Sequence, residues 1–392
     1  MKYNFDKMTN RRGIASLKWD VAENELPMWV ADMDFETAPE IIEAMRARLD
    51  NGTFGYSIIP QEWYEAYQGW WERRHNFRME QDWLIFATGV VPAISSIIRK
   101  LTTPNENVLI QTPVYNIFFN SIINNGCRVL ESPLIYSDRG YSIDFSDLEE
   151  KLSNPQTTLM ILCNPHNPIG RIWDRETLAH IGQLCAKHHV TVISDEIHCD
   201  LTEPGKSYVP FASVSDICRD ISITCIAPTK TFSIPGLQTA AVSVPNPVLR
   251  HKVWRGLNTD EVAEPNAFAM AATIAAFNEG EEWLKQACEY IWENRRSVTE
   301  YFEQELPMIK VVPGDATYLL WLDCAGILDS DRGFHGITDS VKLAEYIRKT
   351  SGLFLCDGME YGEAGRYFLR MNIACPRERV LDGLARMKKS LM

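Results

Sequence analysis

Three consecutive stretches constrain this chain more than anything else in it. TLMILC (158–163) is an apolar run of strand length, DRETLAHIGQLCAKHH (174–189) follows, and VTVIS (190–194) is a second such run. In the middle stretch Leu178, Ile181, Leu184 and Cys185 recur at helical spacing, and Asp174 is a suitable N-cap. A strand, a helix and a strand of these lengths imply a right-handed crossover between parallel strands of one sheet. Further runs at 108–111 and 222–226 extend the pattern to an α/β fold, with a mostly parallel central sheet flanked by helices. From about residue 285 the pattern changes. A long helical stretch leads into strand-like KVV and TYLLWL, a helix near 340–350, and strands in LFLC and YFLRMNI, which predict a smaller α+β domain. The expected division is a large domain over 46–284 and a small one made of 1–45 and 285–392.

Composition excludes more than it assigns. A net charge of −13 over 392 residues argues against nucleic-acid and anionic-membrane partners, which need a basic face. No apolar run approaches a membrane span, and MKYNFDKMTNRRG has no apolar signal-like core. The ten cysteines are scattered without a CxxC pair, so buried, reduced thiols in a cytoplasmic protein are expected. His180, His188 and His189 read as solvated or capping side chains, and no metal site is expected. GKS at 205–207 lacks the upstream glycine of a nucleotide-binding loop.

In open α/β sheets ligands bind beyond the carboxyl ends of the strands. Asn164-Pro165-His166-Asn167-Pro168-Ile169-Gly170 follows the run at 158–163, and Asp195-Glu196-Ile197-His198 follows 190–194. Ala227-Pro228-Thr229-Lys230-Thr231 follows 222–226, and IFAT leads into Gly89-Val90-Val91-Pro92, which opens an apolar helical stretch. An amide, a carboxylate, an amine and a glycine turn thus share one rim. Each suits one feature of pyridoxal phosphate. A lysine amine forms an imine with the aldehyde, and a carboxylate keeps the pyridine nitrogen protonated. Asn167 can donate to the phenolate oxygen. A helix start after Gly89 offers free N–H groups and a positive dipole end to the phosphate, and Pro92 fits its first turn.

With these segments in view, the chain resembles, over essentially its whole length, fold type I pyridoxal-phosphate enzymes of the class I/II aminotransferase family. Within it the likeness is to the cystathionine β-lyases and C–S lyases of the MalY/PatB type. The likeness rests on NFDK and SLKWD in residues 4–20, LPMWVADMDF (26–35), FGYS (54–57), TGVVPAI (88–94), TPVYNIF (112–118), NPHNPIGRIW (164–173), SDEIHCDL (194–201), APTKTFSIPGLQT (227–239) and YFLRMNIACP (367–376). The resemblance implies that Lys230 is the Schiff-base lysine, Asp195 the pyridine partner and Asn167 the phenolate donor. It implies that Tyr115 stacks on the cofactor ring, that Val90 and Val91 give backbone N–H groups to the phosphate, and that Thr229 and His198 belong to the cofactor pocket. Tyr56 resembles a tyrosine that reaches the phosphate of a neighbouring subunit, which implies a homodimer with shared active sites. Arg370 matches the arginine that grips the substrate carboxylate, and Trp29 is expected at the substrate pocket.

Three positions depart from the broader aminotransferase pattern. Ala227 stands where many members carry a phosphate-binding serine, and Gln238 where many carry a cation; His198 replaces a common tyrosine. A histidine there is usual in the lyase branch. The resemblance therefore implies a lyase that cleaves cystathionine or related S-substituted cysteines to a thiol, pyruvate and ammonia. The alternative is an aminotransferase, which shares every step up to loss of the Cα proton; a regulatory protein on the same fold ranks below both.

Overall fold

The protein, described here from a computed structural model, is defined over residues 2–328 and 334–392. Seven strands form the central sheet: β1 (Leu84–Ala87), β2 (Asn107–Ile110), β3 (Arg128–Glu131), β4 (Thr157–Cys163), β5 (Thr191–Asp195), β6 (Ser222–Ile226) and β7 (Ala240–Ser243). Their spatial order is β1-β7-β6-β5-β4-β2-β3. The run from β6 to β3 is parallel, whereas β7 is antiparallel to both β1 and β6. Helices cover both faces, so β4, β5 and β6 are buried nearly throughout and their sequences are continuous apolar runs. The predicted crossover is present: the helix Arg175–Lys187 joins β4 to β5, and Asp174 caps it by accepting from the Thr177 N–H.

Strand ends differ from the sequence reading by a residue. The second central strand stops at Ile110, and the strand expected over 190–194 runs from Thr191 to Asp195, which puts the Asp195 carboxyl on the sheet edge itself. Strands β3 and β7 carry little strand signal. β7 is AAVS, whose small residues read as neither element, and it is held by its two antiparallel neighbours.

A second sheet has four antiparallel strands: β8 (Lys310–Val311), β9 (Leu319–Asp323), β10 (Cys356–Asp357) and β11 (Phe368–Asn372), in the order β8-β9-β11-β10. The helices Glu281–Glu305, Ser340–Ser351 and Arg377–Leu391 accompany it. The expected single strand LFLC divides in two. Leu353–Phe354 pairs in parallel with Leu26–Pro27, while Cys356–Asp357 turns to pair with β11. The N-terminal segment is thereby bound to the second sheet. All ten cysteines are buried and unpaired. No helix among the described residues is long and apolar enough to cross a membrane.

Candidate active site

A cavity of about 270 Å³ opens where the carboxyl ends of β1, β4, β5 and β6 meet. It is lined by Lys230, Asp195, Asn167, Tyr115, Val90, Val91, His198 and Thr229, so eight residues singled out in the sequence come together. Each arrives by a short path. Asp195 ends β5. Lys230 sits in the four-residue helical turn Pro228–Thr231, two residues past β6. Gly89 is the N-cap of Val90–Leu101, and no side chain caps that helix, so its first N–H groups face the cavity without a side-chain acceptor.

The charges inside are out of balance with their surroundings. Asp195 is buried, and among the described residues the one donor to its carboxylate is the Ile197 N–H at 3.1 Å. Burial raises its carboxyl from the usual range to about 7. Lys230 is lowered by burial, and then by the Arg370 charge, to about 8; its Nζ donates to Ala31 O at 2.6 Å. Burial, then the Lys230 and Arg370 charges, lowers His198 to about 3, so the ring is neutral, and its Nδ1 is buried with no partner among the described residues. A carboxyl short of cations, an amine near its titration point and an unpartnered imidazole nitrogen share one cavity.

Arg370 lies on β11, buried beside this cavity. Its Nη1 donates to Asn167 Oδ1 at 3.2 Å, and its Nη2 donates to Trp29 O at 2.8 Å and to Cys356 Sγ at 3.4 Å. The guanidinium lies 4.9 Å from the centre of the Tyr361 ring. No carboxylate pairs with it among the described residues. With Asn167 Oδ1 taken up by Arg370, the Asn167 amide N–H groups are left to serve the cavity.

Two expected residues stand elsewhere. Trp29 does not line the cavity through its indole, which stacks on Phe354 at 4.9 Å; its backbone carbonyl is what meets Arg370. Tyr56 is fully exposed in an irregular segment and takes no part in the cavity of its own chain. The sequence reading also missed the segment that closes over Lys230. Asn372 Nδ2 donates to Val30 O and Asp32 O at 2.6 and 2.7 Å, and Tyr318 Oη donates to Ala31 O at 3.0 Å. Arg11 and Lys18 pair with Asp32 and Asp34, and Trp19 Nε1 donates to Asp34 at 2.8 Å. The one signal for this was the pair of aspartates inside LPMWVADMDF, a short way downstream of the cations Arg11 and Lys18.

Known proteins resemble this one over the whole chain. The class I and II aminotransferase family pattern matches residues 24–387. Cystathionine β-lyase PatB of Bacillus subtilis is 42% identical, over 99% of this chain and 100% of its own length. Cystalysin of Treponema denticola, whose crystal structure contains a pyridoxal 5′-phosphate cofactor, superposes with a TM-score of 0.94 at 32% identity, covering 100% and 99% of the two chains. A C–S lyase from Staphylococcus hominis, solved with pyridoxal phosphate bound, gives 0.92 at 33% identity over 99% of each chain. The fold, the rim of strand ends and these full-length matches together establish that the chain belongs to the class I and II aminotransferase family, on its branch of PatB-type lyases.

Proposed function

We propose that this protein is a pyridoxal-phosphate-dependent C–S β-lyase that releases a thiol, pyruvate and ammonia from S-substituted cysteines, cystathionine among them. The observation that carries the reading is the pairing, in one cavity, of an amine lowered to about 8 with a buried carboxyl raised to about 7. A ring nitrogen that arrives with a proton relieves the buried Asp195, and an aldehyde consumes the Lys230 amine. The uncapped helix start at Val90 suits a phosphate, and the Asn167 amide suits an oxygen acceptor. The residues therefore fit the cofactor that the related cystalysin and staphylococcal structures contain.

Bound at Lys230, pyridoxal phosphate would supply the electron-accepting ring that weakens the bonds at Cα of an amino acid. The remaining work falls to side chains. Arg370, buried and without a carboxylate of its own, grips the substrate carboxylate. Lys230 takes the Cα proton, which an amine titrating near 8 can both accept and return. Asp195 keeps a proton on the ring nitrogen. Tyr115, with its ring at the cavity wall, packs against the cofactor face. His198 stays neutral, and its unpartnered Nδ1 is available to hydrogen-bond to a ligand in the cavity. The electron pair left at Cα would then form the Cα=Cβ bond as the Cβ–S bond breaks; the leaving thiolate takes the proton that Lys230 returns, and water hydrolyses the released enamine to pyruvate and ammonia.

The test is product analysis. Purified protein given cystathionine and no keto acid is expected to yield pyruvate and thiol in equal amounts, and Lys230→Ala to yield neither. Turnover that requires a keto acid and releases no thiol would overturn the lyase reading in favour of an aminotransferase. The same preparation should show the near-ultraviolet to visible absorption of a lysine-bound cofactor, absent from Lys230→Ala.

A further inference from the structure

Asp200 is the last charged residue of the SDEIHCDL segment and has no part in the function proposed above. It is buried, 1% exposed, at the back of the turn that carries Lys230. Four side chains donate to its carboxylate. Trp70 Nε1 lies 3.1 Å from both oxygens, Arg74 Nε 3.2 Å and His75 Nε2 3.1 Å from Oδ1, and Thr231 Oγ1 3.0 Å from Oδ2. Against burial, the hydrogen bond from His75, then the Arg74 charge and the hydrogen bond from Thr231, hold the carboxyl down to about 2, so it is anionic throughout the physiological range. His75, Cys199 and Asp200 lie close enough together to suggest a metal site. The donors already on both carboxylate oxygens give the cluster a different purpose.

Three of the four donors come from one element, the helix Gln61–His75. The fourth, Thr231, directly follows Lys230. The turn Pro228–Thr231 is a single helical turn and has little stability of its own. Within it, backbone bonds run from Phe232 N to Pro228 O and from Ile234 N to Thr229 O, both at 2.9 Å. Its remaining tethers are side chains. Thr231 is tied to Asp200, and Ser233 Oγ accepts from the Met33 N–H at 3.0 Å. The second tether belongs to the N-terminal segment whose Ala31 carbonyl receives Lys230 Nζ. A lysine amine on a four-carbon stem is placed well only if its Cα is fixed, because the stem carries ample rotamer freedom. A charge-assisted bond one residue away is strong enough to fix it.

We propose that Asp200, acting through Thr231, is a positioning residue that fixes the backbone of Lys230 so that its amine meets the substrate Cα. The proposal rests on Lys230 being the cofactor lysine. It requires the helix Gln61–His75 to be the anchor, because Asp200 is immobile only while Trp70, Arg74 and His75 hold it. Thr231→Val keeps the shape of the side chain and cuts this one bond, leaving Asp200 its other three donors.

The expected result for Thr231→Val is a fall in kcat of roughly 10- to 100-fold, with KM within about twofold of the parent. The pH at which the absorption of the lysine-bound cofactor changes is expected to move by about half a unit or more, and Thr231→Ser to restore both properties. Thermal unfolding of the cofactor-free protein separates mispositioning from loss of fold. If the valine variant does not fold, Thr231→Ala cuts the same bond with less crowding and is read the same way. A folded variant with the parent's kcat and spectral titration overturns the proposal, as does a serine variant no better than valine. If the parent protein itself has no absorption band that Lys230→Ala removes, the cofactor reading fails first.

Discussion

Asp195 makes the sharpest prediction at the scale of a single residue. Its carboxyl moves from 3.8 to about 7 in the folded chain, so between those values the folded state holds a proton that the unfolded state releases. Cofactor-free protein therefore loses stability from this group as pH rises from about 4 to about 7, and the loss is complete above 7. Asp195→Asn keeps an acceptor for the Ile197 N–H and removes the titration. In the absence of cofactor the asparagine variant should match the parent near pH 4. It should exceed the parent at pH 8, by up to roughly 4 kcal/mol. Urea unfolding of both proteins across that range measures it, and a difference that does not change with pH contradicts it. With cofactor the order reverses: the variant binds pyridoxal phosphate more weakly and turns over more slowly. Asp195, Asn167 and Lys230 were all legible from sequence because each stands within a few residues of a strand that announces itself as an apolar run. Trp29 was legible as a neighbour of the site but not in its orientation. Its carbonyl meets Arg370, and no side-chain pattern encodes which end of a residue faces inward.

At the scale of elements, the helix Val90–Leu101 is informative through what its start lacks. Gly89 has an extended backbone (φ 172°), which any residue can adopt, so conformation alone does not require glycine. A β-carbon there would lie 3.2 Å from Pro92 Cδ, a tight contact, and a carboxylate on it would cap the free N–H groups. Gly89→Asp should therefore weaken pyridoxal-phosphate binding by at least about tenfold, through both occupied donors and charge repulsion. Titration of the cofactor-free variant with pyridoxal phosphate checks this, and unchanged affinity would place the phosphate elsewhere. The parallel core of the central sheet could be read in advance because strands buried on both faces must be apolar throughout. The sequence could not report that Leu353–Phe354 and Cys356–Asp357 serve different partners, because each pairing is two residues long and is decided by tertiary contacts. The same pairing of residues 26–27 with 353–354 supports the division we propose, in which 1–45 and 285–392 form a small unit and 46–284 a large one.

For the whole molecule, the question is what Tyr56 does. It stands fully exposed between exposed Phe54 and Ile58, on a segment that does not line the cavity of its own chain. That cavity is lined by Thr88, Thr229, Thr239 and Gln238 with Val90 and Val91, and apart from Lys230 no lysine or arginine lines it among the described residues. An exposed apolar strip needs cover and a phosphate cup without a second cation gains from a further donor, and a two-fold dimer supplies both with one contact repeated twice. We propose that Tyr56 of the partner subunit donates to the phosphate, so that each site is built from two chains. Tyr56→Phe should then weaken cofactor binding by roughly tenfold, the value of one hydrogen bond to a charged group. Mixing chains makes the test decisive. A heterodimer of Lys230→Ala with Tyr56→Phe has one site with both defects and one site with neither. Equal mixing, after subunit exchange, should therefore restore about a quarter of all sites to parental behaviour at limiting cofactor. If Tyr56 served its own chain, every heterodimer site would carry one defect and no parental site would form. A sedimenting species of one chain, or a mixture no more active than the sum of its parts, refutes the shared site.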